Sequence, residues 1–428
     1  MTNKRMKNEQ RKLNLIKVFG TLLVLCVILG LIINGVSKNV KESKNEKIEQ
    51  QIEEVIPQDN VANIVAIGDT LCHSQVFKDA YDAETKTYDF SPLFKYVAKY
   101  FENKTVAVGN LEATLAGPSH PYTGYPTFNT PEHLAIDLKE LGLDIMTTAN
   151  NHSLDIGYSG LESSLKYLDE AGLEHTGTAR SVEEQQQILF KDLNGIKTAF
   201  LAFTYGTNGI PVPTGKEYCV NLIDKDFIKS KIDQAKEEGA EAICVSMHWG
   251  VEYQTKQNAE QEDLAEFLIE NDVNIILGCH AHVPQPMQMK TVTMEDGTEK
   301  TGFVIYSMGN FFSAQTFPNT RNTLILNIQM RENGQTGEIT IDQVTYAPVY
   351  DYDFGVSAQD RYALLDLNGI IEDYESGGNN WSLNMYNLAK TEKERLVKIV
   401  GPEIYNNKSN GESSDENVNE IADEEVAK

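Results

Sequence analysis

This 428-residue sequence predicts an α/β fold. From Asn63 onward, apolar strand-like runs alternate with amphipathic helical segments, the pattern of sheets layered against helices. Five of those runs lead into polar groups: NIVAIGD at Asp69, TVAVGNLE at Glu112, DIMTTANNH at His152, AICVSMHWG around His248 and NIILGCHAH at His282. The ends of strands are where α/β folds gather binding groups. Beyond Asn322 the texture changes to TLILNIQM and GEITIDQVTY, alternately apolar and polar, with turns at Asn333-Gly334 and Gly337. That alternation fits antiparallel strands closing a second sheet.

The elements before this domain are of another kind. Residues 1–17 carry Lys4, Arg5, Lys7, Arg11, Lys12 and Lys17 against Glu9 alone. Residues 18–36 are uncharged and, as a helix, would span about 28 Å, enough for a bilayer core. The positive flank places the N-terminus in the cytoplasm and everything after residue 37 outside the cell. A cleaved signal peptide is the competing reading; the run is long for one, and no small-x-small site follows it. Residues 37–60 are highly charged, with Pro57 near their end, and read as a stalk.

Within the domain, assigned to residues 61–350, helix starts are expected at Ser91 and Thr130, each an N-cap oxygen ahead of a proline. The second helix should stop near Gly142. Further helices are expected at Gly160 to Ala171, Asp224 to Glu238 and Ala259 to Glu270, and strands at TAFLAFT, EAICVSM, VNIILG and FVIYSM. Residues 351–405 read as an extension with helices near Ala358 to Leu367 and Thr391 to Ile399. Residues 406–428 read as an acidic disordered tail.

A formal net charge of −26 argues against a nucleic-acid groove, because phosphate backbones need lysine and arginine. It also makes contact with an anionic polymer depend on bound cations. Cys72, Cys219, Cys244 and Cys279 show no CxxC pair and read as apolar packing residues.

A hydrolytic metal centre draws its ligands from several chain segments around an open position. Asp69 and Glu112 offer carboxylates able to bridge two cations, Asn151 a neutral amide oxygen, and His248, His280 and His282 imidazoles. His152, directly after Asn151, is placed to act as general acid or as a donor to a phosphoryl oxygen. Taken singly, Asp69 reads as a loop cap and His152 as a turn residue; taken jointly, five segments ending alike point to a site. His73, Asn150, Trp249, Glu252 and Asn310 are candidates to line its pocket, and Tyr122, Tyr125 and Phe128 to cover it as a lid. His120, His133 and His175 lie outside the pattern.

IGDTLCH at 67–73, GNLEATL at 109–115, TTANNHSLDIG at 147–157, SMHWGVEY at 246–253, GCHAHVPQP at 278–286 and YSMGNFFS at 306–313 resemble, in order and spacing, the successive motifs of the CapA family of capsule and poly-γ-glutamate biosynthesis proteins. The resemblance implies a four-layer αββα sandwich of two mixed sheets, metallophosphoesterase-like, preceded by one transmembrane helix. It implies a plasma-membrane, single-pass protein whose C-terminal domain is extracellular, with poly-γ-glutamate synthase or export subunits as partners and an anionic polymer within reach. It further implies two divalent metal ions, with manganese, zinc or iron as candidates. Asp69 resembles the first metal-ligating aspartate of the superfamily, Glu112 stands at its bridging aspartate, and Asn151 and His152 resemble its Asn-His pair. His248 resembles the lone ligand histidine, and His280 with His282 the terminal pair. Two positions depart from the pattern: Leu71 stands where the usual first motif has histidine, with His73 two residues further on, and Glu112 replaces aspartate. A metal-dependent hydrolase and a non-catalytic assembly or polymer-binding component both remain open.

Overall fold

The computed structural model describes residues 20–22, 57–358 and 360–406. The chain divides into residues 1–58 and 59–428, and the second unit is the one described below. The membrane span expected at 18–36 lies outside the described residues apart from 20–22, as does nearly all of the acidic tail. Among the described residues, no helix is long and apolar enough to cross a membrane.

The expected alternation of strands and helices builds a mixed α/β fold around two large sheets. In the first, the strands run in the order Tyr362–Asp366, Ile339–Asp353, Asn322–Glu332, Asn60–Thr70, Val106–Leu111, Ile145–Thr147 and Glu174–Thr176. Asn60–Thr70 is where direction changes: it pairs parallel with Val106–Leu111 and antiparallel with Asn322–Glu332. The second sheet runs Met287–Thr293, Glu299–Ile305, Ile275–Cys279, Ala242–His248, Ile196–Thr204 and Leu189–Leu193, with parallel pairs at its centre.

Period-two geometry explains why the central strands read as continuous apolar runs. Along Asn60–Thr70, Ala62, Ile64 and Ala66 join a core shared with Phe200, Cys244, Leu277 and Ile305 of the second sheet. Val65 and Ile67 face the other way, onto Leu134, Leu138, Leu161 and Leu165 of the helices His133–Leu141 and Gly157–Ala171. The second sheet likewise turns Leu201, Val245 and Ile276 toward Ile228, Ile232, Leu264 and Leu268 of Lys225–Glu237 and Ala259–Glu270. Strands buried on both faces have no polar side to alternate with. Both sheets therefore meet face to face, with helices outside each.

Several local expectations are corrected. The helix start at Ser91 falls one residue late, because Phe90 holds the cap position of Ser91–Phe94. Thr130 is no cap: its N–H donates to the Thr114 carbonyl, and the helix begins at His133. Tyr362–Asp366 is an edge strand paired antiparallel with Ile339–Asp353, and the helix follows it at Leu367–Glu375, so the helix expected over Ala358 to Leu367 is overturned. A run as short as YALLD carries no periodicity that separates strand from helix. The last helix is longer than expected, Leu383–Val400, because Ser382 caps it through the Met385 N–H. The four cysteines of the domain are buried and unpaired, as packing residues are.

Two glycines let the strand ends close on each other. A β-carbon at Gly68 would stand 1.9 Å from the Gly309 carbonyl oxygen, and one at Gly278 1.9 Å from that of Tyr306. Each precedes a polar tip, Asp69 or His280. Gly278→Ala is expected to cost about 2 kcal/mol or more through this backbone collision, read as a lowered denaturant midpoint. An unchanged midpoint would show that the strand end can shift freely.

Candidate metal centre

Stacking the two sheets brings the carboxyl ends of their central parallel strands to one place. Asp69, near the end of Asn60–Thr70, is fully buried. Its backbone N–H donates to the Gly309 carbonyl at 2.9 Å. Its carboxylate accepts from the Asn110 amide at 2.7 Å and, across the sheet boundary, from the His280 backbone N–H at 3.1 Å. Burial pushes the Asp69 carboxyl up, but nearby imidazoles and these donors outweigh it and hold it well below the usual carboxylate range.

Glu112 lies one residue past Val106–Leu111 and is treated very differently. It is fully buried, and neither of its carboxylate oxygens has a hydrogen-bond partner. His248 Nε2 stands 3.5 Å from Oε1 and His282 Nδ1 3.8 Å from Oε2, both beyond good hydrogen-bond length. Burial and the neighbouring Asp69 charge drive its carboxyl well above the ordinary value.

The imidazoles close around this carboxylate. His248 ends the Ala242–His248 strand, with its Nε2 2.7 Å from Asn151 Oδ1. His280 and His282 follow Ile275–Cys279 with φ of 94° and 58°. Left-handed backbone at two non-glycine residues costs roughly 1–3 kcal/mol each and is characteristic of functional sites. The ring centres of His248 and His280 are 4.8 Å apart, those of His280 and His282 6.0 Å. His282 Nδ1 lies 2.9 Å from Asn310 Oδ1, so Asn310 orients that ring, and the Asn310 amide is itself tied to Ser313, Gln315 and the Thr320 carbonyl. Burial holds the His280 imidazole down at about 3 and pushes His248 well below its usual value, so both are neutral, the state in which imidazole binds cations.

Nearby, Ile145–Thr147 runs into a turn in which the Asn150 amide donates to the Leu111 carbonyl at 2.6 Å and its oxygen accepts the His152 N–H. Asn150 fixes the loop from within. His152 Nδ1 faces Asp155 Oδ2 at 2.7 Å, and its Nε2 faces the Asn208 amide nitrogen at 3.4 Å. With Nδ1–H donating to Asp155, Nε2 would accept from the Asn208 amide. Phe128 packs edge-on against the His152 ring at 4.7 Å and against His73 at 5.2 Å.

The remaining candidates fall in different places. Trp249, a candidate to line the pocket, is instead buried beneath the second sheet with its indole N–H on the Tyr306 carbonyl. The correction follows from strand geometry, since Trp249 continues the alternation and turns away from His248. Glu252 is exposed, close enough to push the Glu112 carboxyl up. His73 Nδ1 sits beside the Leu71 carbonyl and the Ala314 N–H, outside both groups of clustered ligand atoms, while Leu71 packs with Ala113 and Phe128. Of the proposed lid, Phe128 is buried as a wall, Tyr122 donates to Glu132, and Tyr125 is 78% exposed. Three contributors were missed. Asn110 ties Asp69 to the strand beside it, Asn208 accepts from the Asn151 amide at 3.1 Å, and Tyr205 packs its ring 4.5 Å from His280. Only Asn110 lay in a motif that could have disclosed it.

Among the described residues, two groups each hold their ligand atoms within 4.8 Å of one another: Glu112, His248 and His280, and Asp69, Glu112 and His282. Glu112 belongs to both. A buried carboxylate with no donor, beside a second carboxylate and neutral imidazoles, is costly unless a cation is shared between them. The orphaned oxygens of Glu112 and the unpartnered Nδ1 of His280 therefore fit divalent metal ions.

A family profile described as "Bacterial capsule synthesis protein PGA_cap" matches residues 63–315. The chain is 27% identical over 261 residues to the capsule biosynthesis protein CapA of Bacillus anthracis, covering 58% of this chain and 60% of that one. It is 26% identical over 302 residues to the PGA biosynthesis protein CapA of Bacillus subtilis (strain 168), covering 68% and 74%. Among solved structures it is similar to the calcineurin-like phosphoesterase YfkN of Bacillus subtilis, at 14% identity and a TM-score of 0.40, over 80% of this chain and 99% of that one.

The raised Glu112 carboxyl fixes the sign of a pH effect. Folding favours its protonated form, so its contribution is fully present below the ordinary value of 4.5 and is lost as pH rises toward the folded value. In metal-free protein, Glu112→Gln is expected to raise the melting temperature over wild type by a margin that widens from about pH 5 to pH 8. A divalent cation should raise the wild-type melting temperature at pH 8 and leave that of Glu112→Gln nearly unmoved. An equal cation response in both proteins would remove Glu112 from the shared position.

Proposed function

This chain belongs to the bacterial capsule synthesis protein family, and from that premise we propose that it is a membrane-anchored, extracellular component of capsule polymer synthesis or export, with a metal-dependent phosphoesterase-type site. The observation that carries the site is the convergence of Asp69, His248 and the His280/His282 pair on the two orphaned carboxylate oxygens of Glu112, with Asn151 held against His248. The relatives' capsule and PGA biosynthesis names support the process, and poly-γ-glutamate is the polymer we assign. Residues 18–36 would anchor the chain, with the synthase or export machinery as partner.

Asp69, Glu112 and His282 would hold one cation, and Glu112, Asn151, His248 and His280 a second, with manganese, zinc or iron as candidates. Bound there, the ions would polarise a phosphoryl oxygen and lower the pKa of attacking water. The chain itself supplies the proton. His152 would act as the imidazolium, its Nδ1–H donating to Asp155 and its Nε2–H given to the leaving-group oxygen, with Phe128 packed edge-on against the ring. Asn208 keeps both Asn151 and His152 in register.

One observation favours a second reading, a binding pocket without turnover. Leu71, buried against Phe128, leaves the Asp69 side with one ligand fewer than the superfamily pattern.

Purified protein is expected to bind two divalent ions and to hydrolyse a chromogenic phosphodiester. His152→Ala should keep the metal and lose about 10²–10⁴ in kcat; His280→Ala should lose metal and turnover together. Metal without turnover would favour the binding pocket, and no bound metal would sink both readings. For the anchor, protease added outside intact cells is expected to digest the unit from residue 59 onward, and complete protection would overturn its placement.

A further inference from the structure

Away from the ligand cluster, the segment from Thr316 to Asn322 borders a cavity of about 310 Å³, also lined by Tyr350 and Arg395. In a chain with 63 acidic and 37 basic residues, this cavity presents two arginines and no acid. The guanidinium of Arg321 makes no hydrogen bond or ion pair among the described residues, although the residue is half-buried. Arg395 spends Nη1 on Glu392, at 3.0 Å, which leaves the rest of its fork toward the cavity. Asn319 and Asn322 add neutral amides, with that of Asn322 directed to the Glu392 carbonyl.

The cavity is coupled to the metal cluster by two short routes. The Phe317 ring lies 4.7 Å from that of Tyr253, which lies 6.0 Å from His282. The Asn310 amide that orients His282 also donates to the carbonyl of Thr320, the residue before Arg321. Phe317 is 57% exposed, so an aromatic ring stands open to solvent on the first of these routes.

We propose that this cavity is an anion subsite, in which Arg321 and Arg395 receive one carboxylate of a polycarboxylate chain that extends from the metal cluster. A planar guanidinium fork matches a carboxylate with two parallel hydrogen bonds. Arg321 acts electrostatically on Asp351 and Asp353 but forms no hydrogen bond or ion pair with either among the described residues, so its fork is open to an acid brought by the ligand. The volume, at the lower end for ligand pockets, suits one residue of such a chain. The net charge of −26 would repel the rest of a polyanion, so local cationic footholds at the cluster and here are what contact requires. The identity of the chain rests on the capsule-polymer reading; the subsite does not need turnover.

The test is equilibrium binding of a fluorescent γ-linked glutamate oligomer to the full chain, with divalent metal present and with chelator, beside its carboxyl-amidated counterpart and inorganic phosphate. Arg321→Gln is expected to weaken oligomer binding about tenfold at low salt, with Arg321→Lys intermediate, and amidation should abolish it. Binding should survive in chelator and in His280→Ala, though weaker. Circular dichroism and metal content unchanged in Arg321→Gln would exclude misfolding, and Arg395→Gln gives a second variant. Oligomer binding lost in His280→Ala but unchanged in both arginine variants overturns the subsite and leaves the metal reading standing. Arginine-dependent binding of phosphate without binding of the oligomer overturns the carboxylate assignment. No oligomer binding under any condition fails the polymer reading and the subsite with it, while metal content and turnover still judge the cluster.

Discussion

Glu112 is a carboxylate that the fold buries completely, beside Asp69, and supplies with no donor. Removing such a group from water costs several kcal/mol unless it is protonated or paired, roughly a whole domain's margin if left uncompensated. The features around it bring a second carboxylate and neutral imidazoles to that point. The strand ends of both sheets converge there, two histidines adopt left-handed backbone there, and two glycines allow the surrounding segments to approach within a carbonyl's reach.

The supports of the site are mostly amides. Asn110 satisfies Asp69, Asn310 orients His282, Asn151 faces His248, and Asn208 holds Asn151 and His152. An amide fixes geometry without adding charge, which matters where two carboxylates already repel each other. Asp155 is the exception, placed on the far side of His152, where a negative charge orients an imidazole proton. The site thus separates charge in space: acids where cations would sit, and a single acid behind the His152 ring.

The chain's acidity and its arginine-lined cavity belong to one electrostatic picture. An exterior this negative does not hold an anionic polymer by general attraction, and salt screens interactions beyond about 8–10 Å. Recognition then falls to a few desolvated positions where fixed geometry raises the value of each contact. On the proposed reading the buried ligand cluster would be one such position and the partly exposed Arg321 cavity a second foothold, linked through Asn310 and the Phe317–Tyr253 ring pair.

What was legible in the sequence follows from one physical fact: buried strands are apolar, so a carboxylate or imidazole at their ends stands out. Asp69, Glu112, Asn151, His152, His248, His280 and His282 were all visible in this way, and the α/β class with them. The sequence could not say which neighbour of a ligand faces inward, and Trp249 was misplaced because successive residues of a strand point to opposite sides. Nor could it show that Asn150 is spent on a backbone carbonyl, that Leu71 packs under Phe128, or that Tyr362–Asp366, four apolar residues and an aspartate, form an edge strand. Asn208, Tyr205 and the pairing of Arg321 with Arg395 lie in no motif, since their partners are distant in the chain. By itself the sequence determined the kind of chemistry, because chemistry resides in residue types; tertiary structure decided the site, because distance, burial and the absence of a donor at Glu112 exist only once the two sheets are stacked.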